Sequence, residues 1–141
     1  MNKLTLFLIT YMILCSAAIA EIKVLNPWVR ASKPNAVLFM QIENTSGTAD
    51  RLTRVNTLEA LHTEFHNHVD IGNGTFHMAK VDYIEIPARG YMQLKPGGHH
   101  IMLMGIHRPL KEGDTVHVSL GFDSGDTVPI IAPVKAGSGE E

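Results

Sequence analysis

Two histidines and two methionines carry the clearest chemistry in this chain. They are His66, Met78, and the pair His100 and Met102 within Gly97-Gly98-His99-His100-Ile101-Met102-Leu103-Met104. Imidazole combined with thioether is an uncommon donor mixture. Neutral sulfur is a poor ligand for Mg, Ca or Mn and no natural first choice for Zn, whereas it suits Cu(I) well. Side chains of these types brought to one place would select copper in its reduced state.

The elements that must position them read as strands. Short runs rich in Val, Ile, Leu, Phe and Thr recur between Gly, Pro, Asn and Asp punctuation. Strands are expected over Ile22 to Arg30, Ala36 to Asn44, Arg51 to Asn56, Leu61 to Val69, Thr75 to Val81, Tyr91 to Leu94, His100 to Met104, Thr115 to Phe122 and Thr127 to Pro133. Asn73-Gly74 predicts a hairpin, Lys95-Pro96-Gly97-Gly98 a turn with Pro first and Gly second at its centre, and Ser124-Gly125-Asp126 a final hairpin. His107 to Lys111 hints at a single helical turn. So many short strands argue for an all-β, two-sheet sandwich. Period-two alternation puts His100, Met102 and Met104 on one strand face, and His66 and His68 on one face of another. The Asn73-Gly74 turn folds the Met78 strand back beside the His66 strand, so register can bring Met78 to His66.

The N-terminus sets the compartment. A cationic Met1-Asn2-Lys3, an apolar run from Leu4 to Leu14, and Ala18-Ile19-Ala20 together form a secretory signal pattern, too short to span a bilayer. Cleavage is expected after Ala20, with residues 21–134 as one domain and 135–141 as a polar tail. A lipid anchor on Cys15 is the rival, against which bulky Leu14 stands where a small residue is usual. Cleavage removes the only cysteine, leaving no disulfide and no thiolate ligand. Of 12 basic and 14 acidic side chains only Lys3 falls in the leader, so the remainder is weakly acidic. Lys and Arg are scattered, which speaks against nucleic-acid binding, and no further apolar run suggests membrane insertion after cleavage.

Taken singly, each donor has an ordinary account. Met40, Met92 and Met104 read as core packing, and His62, His107 and His117 as surface histidines. His68, His77 and His99 are extra imidazoles near the motif, read as exposed polar residues that could bind Cu(II). His100-Ile101-Met102 stands apart because two compatible donors share a strand face beside a Gly-rich turn.

The stretch from Leu61 to Val134 resembles the PCuAC-type periplasmic copper chaperones. The family pattern is a His, an optional Met, ten residues, a Met, twenty-one residues, then His-x-Met. Here His66 opens it, Asn67 stands at the optional Met, Met78 follows residues 68 to 77, and His100-Ile101-Met102 follows residues 79 to 99. Ile84-Glu85-Ile86-Pro87-Ala88, Leu94-Lys95-Pro96-Gly97-Gly98 and Pro109-Leu110-Lys111-Glu112-Gly113-Asp114 are also similar to the family, as are Trp28-Val29-Arg30-Ala31 and Ile42-Glu43-Asn44.

The resemblance implies a cupredoxin-like Greek-key β-sandwich with Cu(I) held by His66, Met78, His100 and Met102. It implies a periplasmic, non-enzymatic metallochaperone, with a copper-accepting oxidase subunit or another periplasmic copper protein as partner. Asn67 limits the donor set to two His and two Met. Val134 to Glu141 lacks the Met and His of relatives with a second, C-terminal site. A copper-buffering or resistance protein would use the same residues. A blue-copper carrier needs a Cys thiolate that the mature chain lacks. A zinc hydrolase would draw on Asp70, Asp82 or Glu85, but no His-Glu motif organises them.

Overall fold

Alternating apolar and polar residues make strands because one face of each run can bury while the other stays wet. A computed structural model of the protein describes residues 21–136, and every regular element among them is a strand. In chain order these are β1 Ile22–Ser32, β2 Asn35–Asn44, β3 Asp50–Asn56, β4 Ala60–Asp70, β5 Phe76–Val81, β6 Ile84–Ile86, β7 Gly90–Leu94, β8 His100–Ile106, β9 Thr115–Phe122 and β10 Thr127–Lys135.

All the expected strands form, and β6 is added to them. Its three residues, wedged between Tyr83 and Pro87, are too few to show a period. The helical turn expected at His107 to Lys111 does not form. Pro109 disfavours a helical Arg108, whose guanidinium instead reaches Glu59 and Asp114, each at 3.2 Å. β10 takes in Lys135, the first residue of the expected tail, which pairs with Arg30. The expected leader, residues 1–20, and the tail from 137 to 141 lie outside the described residues.

The turns follow their local chemistry. Asn73 and Gly74 both take positive φ (55° and 71°), and the Thr75 N–H bonds to the Gly72 carbonyl at 3.0 Å. That is the type I′ geometry suited to a twisted hairpin. Gly97 takes φ 83° after Pro96, and the Gly98 N–H closes on the Lys95 carbonyl at 3.0 Å. Gly125, with φ 94°, makes the β9–β10 hairpin.

Hydrogen bonding runs without a break along β5-β4-β8-β2-β1-β10-β9-β3-β6, with β7 also paired to β2. The β1–β10 pair is parallel and the other pairs are antiparallel. The ladder folds over a single core. Val29, Leu38, Ile101 and Leu103 from one half meet Leu52, Val116, Leu120 and Phe122 from the other. At the end of the path, β6 packs against β7 and β2. The expected sandwich is therefore one continuous sheet, its two layers joined through β1–β10.

One irregularity shapes the outer face. The β1–β2 register shifts between Leu25 and Trp28, across Asn26 (φ 49°) and Pro27. The extra residue reverses the alternation of β1, sending Val29 into the core and Trp28 outward beside Phe39.

Candidate metal centre

The outer faces of β5, β4, β8 and β2, adjacent in that order, carry the candidate site. On β8, Ile101 and Leu103 are fully buried in the core, which leaves His100, Met102 and Met104 on the opposite face. On β4, Phe65 enters the core, so His62, Glu64, His66 and His68 share the outer face. Register then decides who meets whom. His66 lies directly across from His100, Glu64 from Met102, and His62 from Met104.

Register also decides how Met78 stands to His66. The Asn73-Gly74 turn sets a β4–β5 register in which Met78 faces His68, while His66 faces Lys80. Met78 is therefore a diagonal neighbour of His66, a relation that keeps Cα atoms about 7–8 Å apart and within reach of a long side chain. It is 47% exposed.

The two imidazoles are close and oppositely tethered. Their ring centroids are 5.5 Å apart. His100 is 4% exposed, and its Nδ1–H donates to the Gly98 carbonyl at 2.9 Å, which leaves Nε2 with a free lone pair. His66 Nε2 lies 2.7 Å from Glu64 Oε2 and donates to it, so the lone pair of His66 falls on Nδ1. That nitrogen is buried and has no hydrogen-bond partner in the protein. A buried polar atom left unpaired costs free energy unless something fills the gap. Two imidazoles, each with one nitrogen tied to the protein and the other without a protein partner, fit a soft metal ion.

The surroundings favour the neutral ring of His100. Burial lowers the pKa of His100 below the usual histidine value, with the Gly98 bond opposing and nearby His66, His68 and Arg30 adding to the shift. The hydrogen bond from His66 holds the Glu64 carboxyl below its usual value. Behind His100 stands an aromatic wall. Phe39 lies 6.3 Å from the His100 ring, Trp28 packs on Phe39 at 4.7 Å, and the Arg30 guanidinium covers Phe39 at 5.3 Å.

Several residues read differently in three dimensions. Met104 is on the outer face beyond the core cluster, because alternation from Leu103 carries it there. His68 and His99 are half-buried rather than exposed. The His68 ring stands edge-on to His100 at 6.3 Å, and His99 Nδ1 is buried without a partner. His62, His77, His107 and His117 are exposed, Met40 is in the core, and Met92 packs against it, all as expected. Glu64 escaped the sequence reading. Its signal was the spacing Glu64-x-His66, which puts a carboxylate on the imidazole's own strand face.

Among the described residues, no three His, Cys, Asp or Glu side chains are arranged to hold a metal ion. Asp70 caps the turn at Gly72, Asp82 is exposed, and Glu85 sits on β6 at the other end of the ladder. A zinc site of the hydrolase kind thus has no basis in the described residues. A cavity of about 930 Å3 lies beside the cluster rather than in it, with Leu58, Leu61, His62, His117 and Ile131 in its lining.

A folded-over all-β sheet with an outward imidazole–thioether cluster defines a cupredoxin-like copper-binding domain. The family described as "Putative lipoprotein LpqE-like" matches residues 22–134, and the chain belongs to that family, within the PCuAC type that the motif resembled. It is 34% identical over 120 residues to "Putative lipoprotein Lxx21020" of Leifsonia xyli subsp. xyli (strain CTCB07), covering 84% of this chain and 72% of that one. Among solved structures it is similar to the copper-bound PCuAC domain from PmoF2, at 28% identity over 85% of this chain and 97% of that one, with a TM-score of 0.72. It is also similar to CuI-DR1885 from Deinococcus radiodurans, at 32% identity over 83% of this chain and 76% of that one, with a TM-score of 0.62.

Proposed function

We propose that this protein is an exported copper chaperone that binds one Cu(I) through His66, Met78, His100 and Met102. One observation carries the reading: across β4 and β8, His66 and His100 face each other at 5.5 Å, and the inner nitrogen of His66 is buried without a partner. The copper-bound PmoF2 domain and CuI-DR1885 support the choice of ion. The family is a copper-binding chaperone family and not one of enzymes.

The chemistry is ligand exchange. Thioethers carry no proton to lose and form no disulfides in an oxidising compartment. Two imidazoles and two thioethers form a neutral donor set that a recipient's thiolates can replace one at a time. Glu64 orients His66 and fixes its tautomer, the usual service of a carboxylate behind a metal-binding imidazole. We assign as recipient the copper centre of a respiratory oxidase, with copper buffering as the same site's function where no recipient engages it.

Titration of Cu(I) against a colorimetric chelator, with Zn(II) as control, tests the reading. One tightly bound, nearly colourless Cu(I) is expected. An intense blue Cu(II) species, or zinc displacing Cu(I), would overturn it. Delivery is tested by loading a thiolate-bearing oxidase fragment from the copper-loaded protein.

The site of action is the periplasm, reached by cleavage after Ala20. The word lipoprotein in the names of the matched family and relative favours a second reading of the leader, an anchor on Cys15. The intact mass of the exported protein separates them: a chain beginning at Glu21, or a lipid-modified one beginning at Cys15.

A further inference from the structure

We propose that His62, Glu64 and Met104 form a second, weaker copper station on the same face, adjoining the main one. The inference deepens the proposed function and rests on it for its purpose, while ion binding at the second station is tested separately.

Three successive rungs of the β4–β8 ladder carry it. His66 faces His100, Glu64 faces Met102, and His62 faces Met104. All six side chains lie on the outer face, and each is an imidazole, a thioether or a carboxylate. Opposed residues on antiparallel strands hold their Cβ atoms about 4.5–5.5 Å apart. The His62 ring and the Met104 sulfur are thus placed to reach one ion. Neither belongs to the core cluster, so packing does not account for Met104.

Glu64 links the two stations. Its Oε2 is held by His66 at 2.7 Å, while Oε1 lies 3.5 Å from His62 Nε2. An exposed pair such as His62–Glu64 contributes little to stability, and His62 is 60% exposed. Lys80 Nζ also approaches Oε1, at 3.8 Å from a largely exposed position, and competes for that oxygen. Imidazole and thioether suit Cu(I), and a neighbouring carboxylate offsets its charge. With two neutral donors and a shared carboxylate, this station binds more weakly than one with four neutral donors.

Position gives the station its use. Residues two apart on a strand are separated by about 7 Å, which is the step from Met104 to Met102. Copper can cross that step by exchanging one donor at a time. On the other side, His62 borders the open groove that Leu58, Leu61 and Ile131 help to line. The second station therefore lies between the groove and the main site.

Ag(I), a diamagnetic analogue of Cu(I), is the probe. It is titrated into the protein carrying 13C-labelled methionine methyls, with histidine ring resonances followed in parallel. The first equivalent should move the Met78 and Met102 methyls, and the second the Met104 methyl and the His62 ring. Met104 and His62 unmoved at two equivalents would overturn the proposal. The double variant His62→Gln with Met104→Leu should weaken the second step at least about tenfold and leave the first unchanged. An unchanged second step in that variant, with its fold confirmed by the amide spectrum, would overturn it equally. Should the first equivalent fail to move Met78 and Met102, the main-site reading falls, a result independent of what happens at Met104.

Discussion

At the scale of single residues, sulfur and proton are separable. Met78→Leu and Met102→Leu keep apolar bulk and remove only the thioether, an exchange that usually costs less than about 1.5 kcal/mol even in a core. Loss of a partner behind a metal ligand typically costs about 10–100-fold in affinity, and loss of a ligand should cost at least as much. Each change is expected to weaken Cu(I) binding by that factor or more in chelator competition, and the double change nearly to abolish it. Met40→Leu and Met92→Leu, which alter the core and its margin, should leave affinity unchanged. Histidine supplies the second handle. Burial lowers the pKa of His100, so its ring should protonate below about 6.5, the ordinary value, in a histidine NMR titration of the copper-free protein. The unfolded chain then binds the proton first. The stability due to neutral His100 is complete above about pH 6.5 and is lost as pH falls from there through the folded-state pKa. Midpoints of denaturation that stay level across that window would contradict the burial. The donor types and their strand faces were legible in the sequence, because alternation alone assigns a face. The partner of each donor was not, since it depends on register between distant strands. Glu64 and Met104 therefore show their place only once β4 and β8 are set in register.

Among the elements, turns were the most legible, because their chemistry is local. Asn73-Gly74, Pro96-Gly97 and Gly125 each adopt the backbone geometry their residue types demand. Strand β6 was illegible at three residues, and the helical turn at His107 was misread because Pro109 and the two carboxylates around Arg108 prevail there. A hairpin that positions a proposed ligand can be tested at its turn. Gly74 holds φ 71°, and a Cβ there would meet nothing within 4 Å. Gly74→Ala should therefore impose backbone strain alone, about 1 kcal/mol. The urea midpoint should fall accordingly with an unchanged slope. A neutral result would mean that the turn relaxes, and with it the register that places Met78 opposite His68.

For the whole molecule, copper and fold are linked by mass action. An ion that binds only the native state stabilises it by about 2.7 kcal/mol at a free concentration 100 times its Kd. For a domain of this size each kcal/mol shifts the midpoint by several degrees, so Tm should rise by about 10 °C with Cu(I) under strictly reducing conditions and return when a chelator is added. An unchanged Tm under saturating Cu(I) would mean that the ion binds folded and unfolded chains alike. The all-β class and single core were readable from strand count and turn spacing. The parallel β1–β10 junction that makes one sheet of two layers was not, because nothing in either strand's residues marks a partner some hundred positions away.

The four proposed donors do not share the same mechanical footing. His66, His100 and Met102 ride on β4 and β8, each clasped by strands on both sides, whereas Met78 rides on β5, the terminal strand of the ladder, bonded along one edge only. Such a margin opens at lower free energy than the interior of a sheet. The cradle thus has three fixed walls and one hinged one. On the proposed ligand set, a recipient that drew β5 aside would remove a thioether without disturbing the other three donors, and would leave the ion held by three, open to new ligands. Backbone amides of β5 should accordingly exchange with solvent faster than those of β4 and β8, and slow when copper is bound. Equal protection across the three strands would mean that release begins elsewhere.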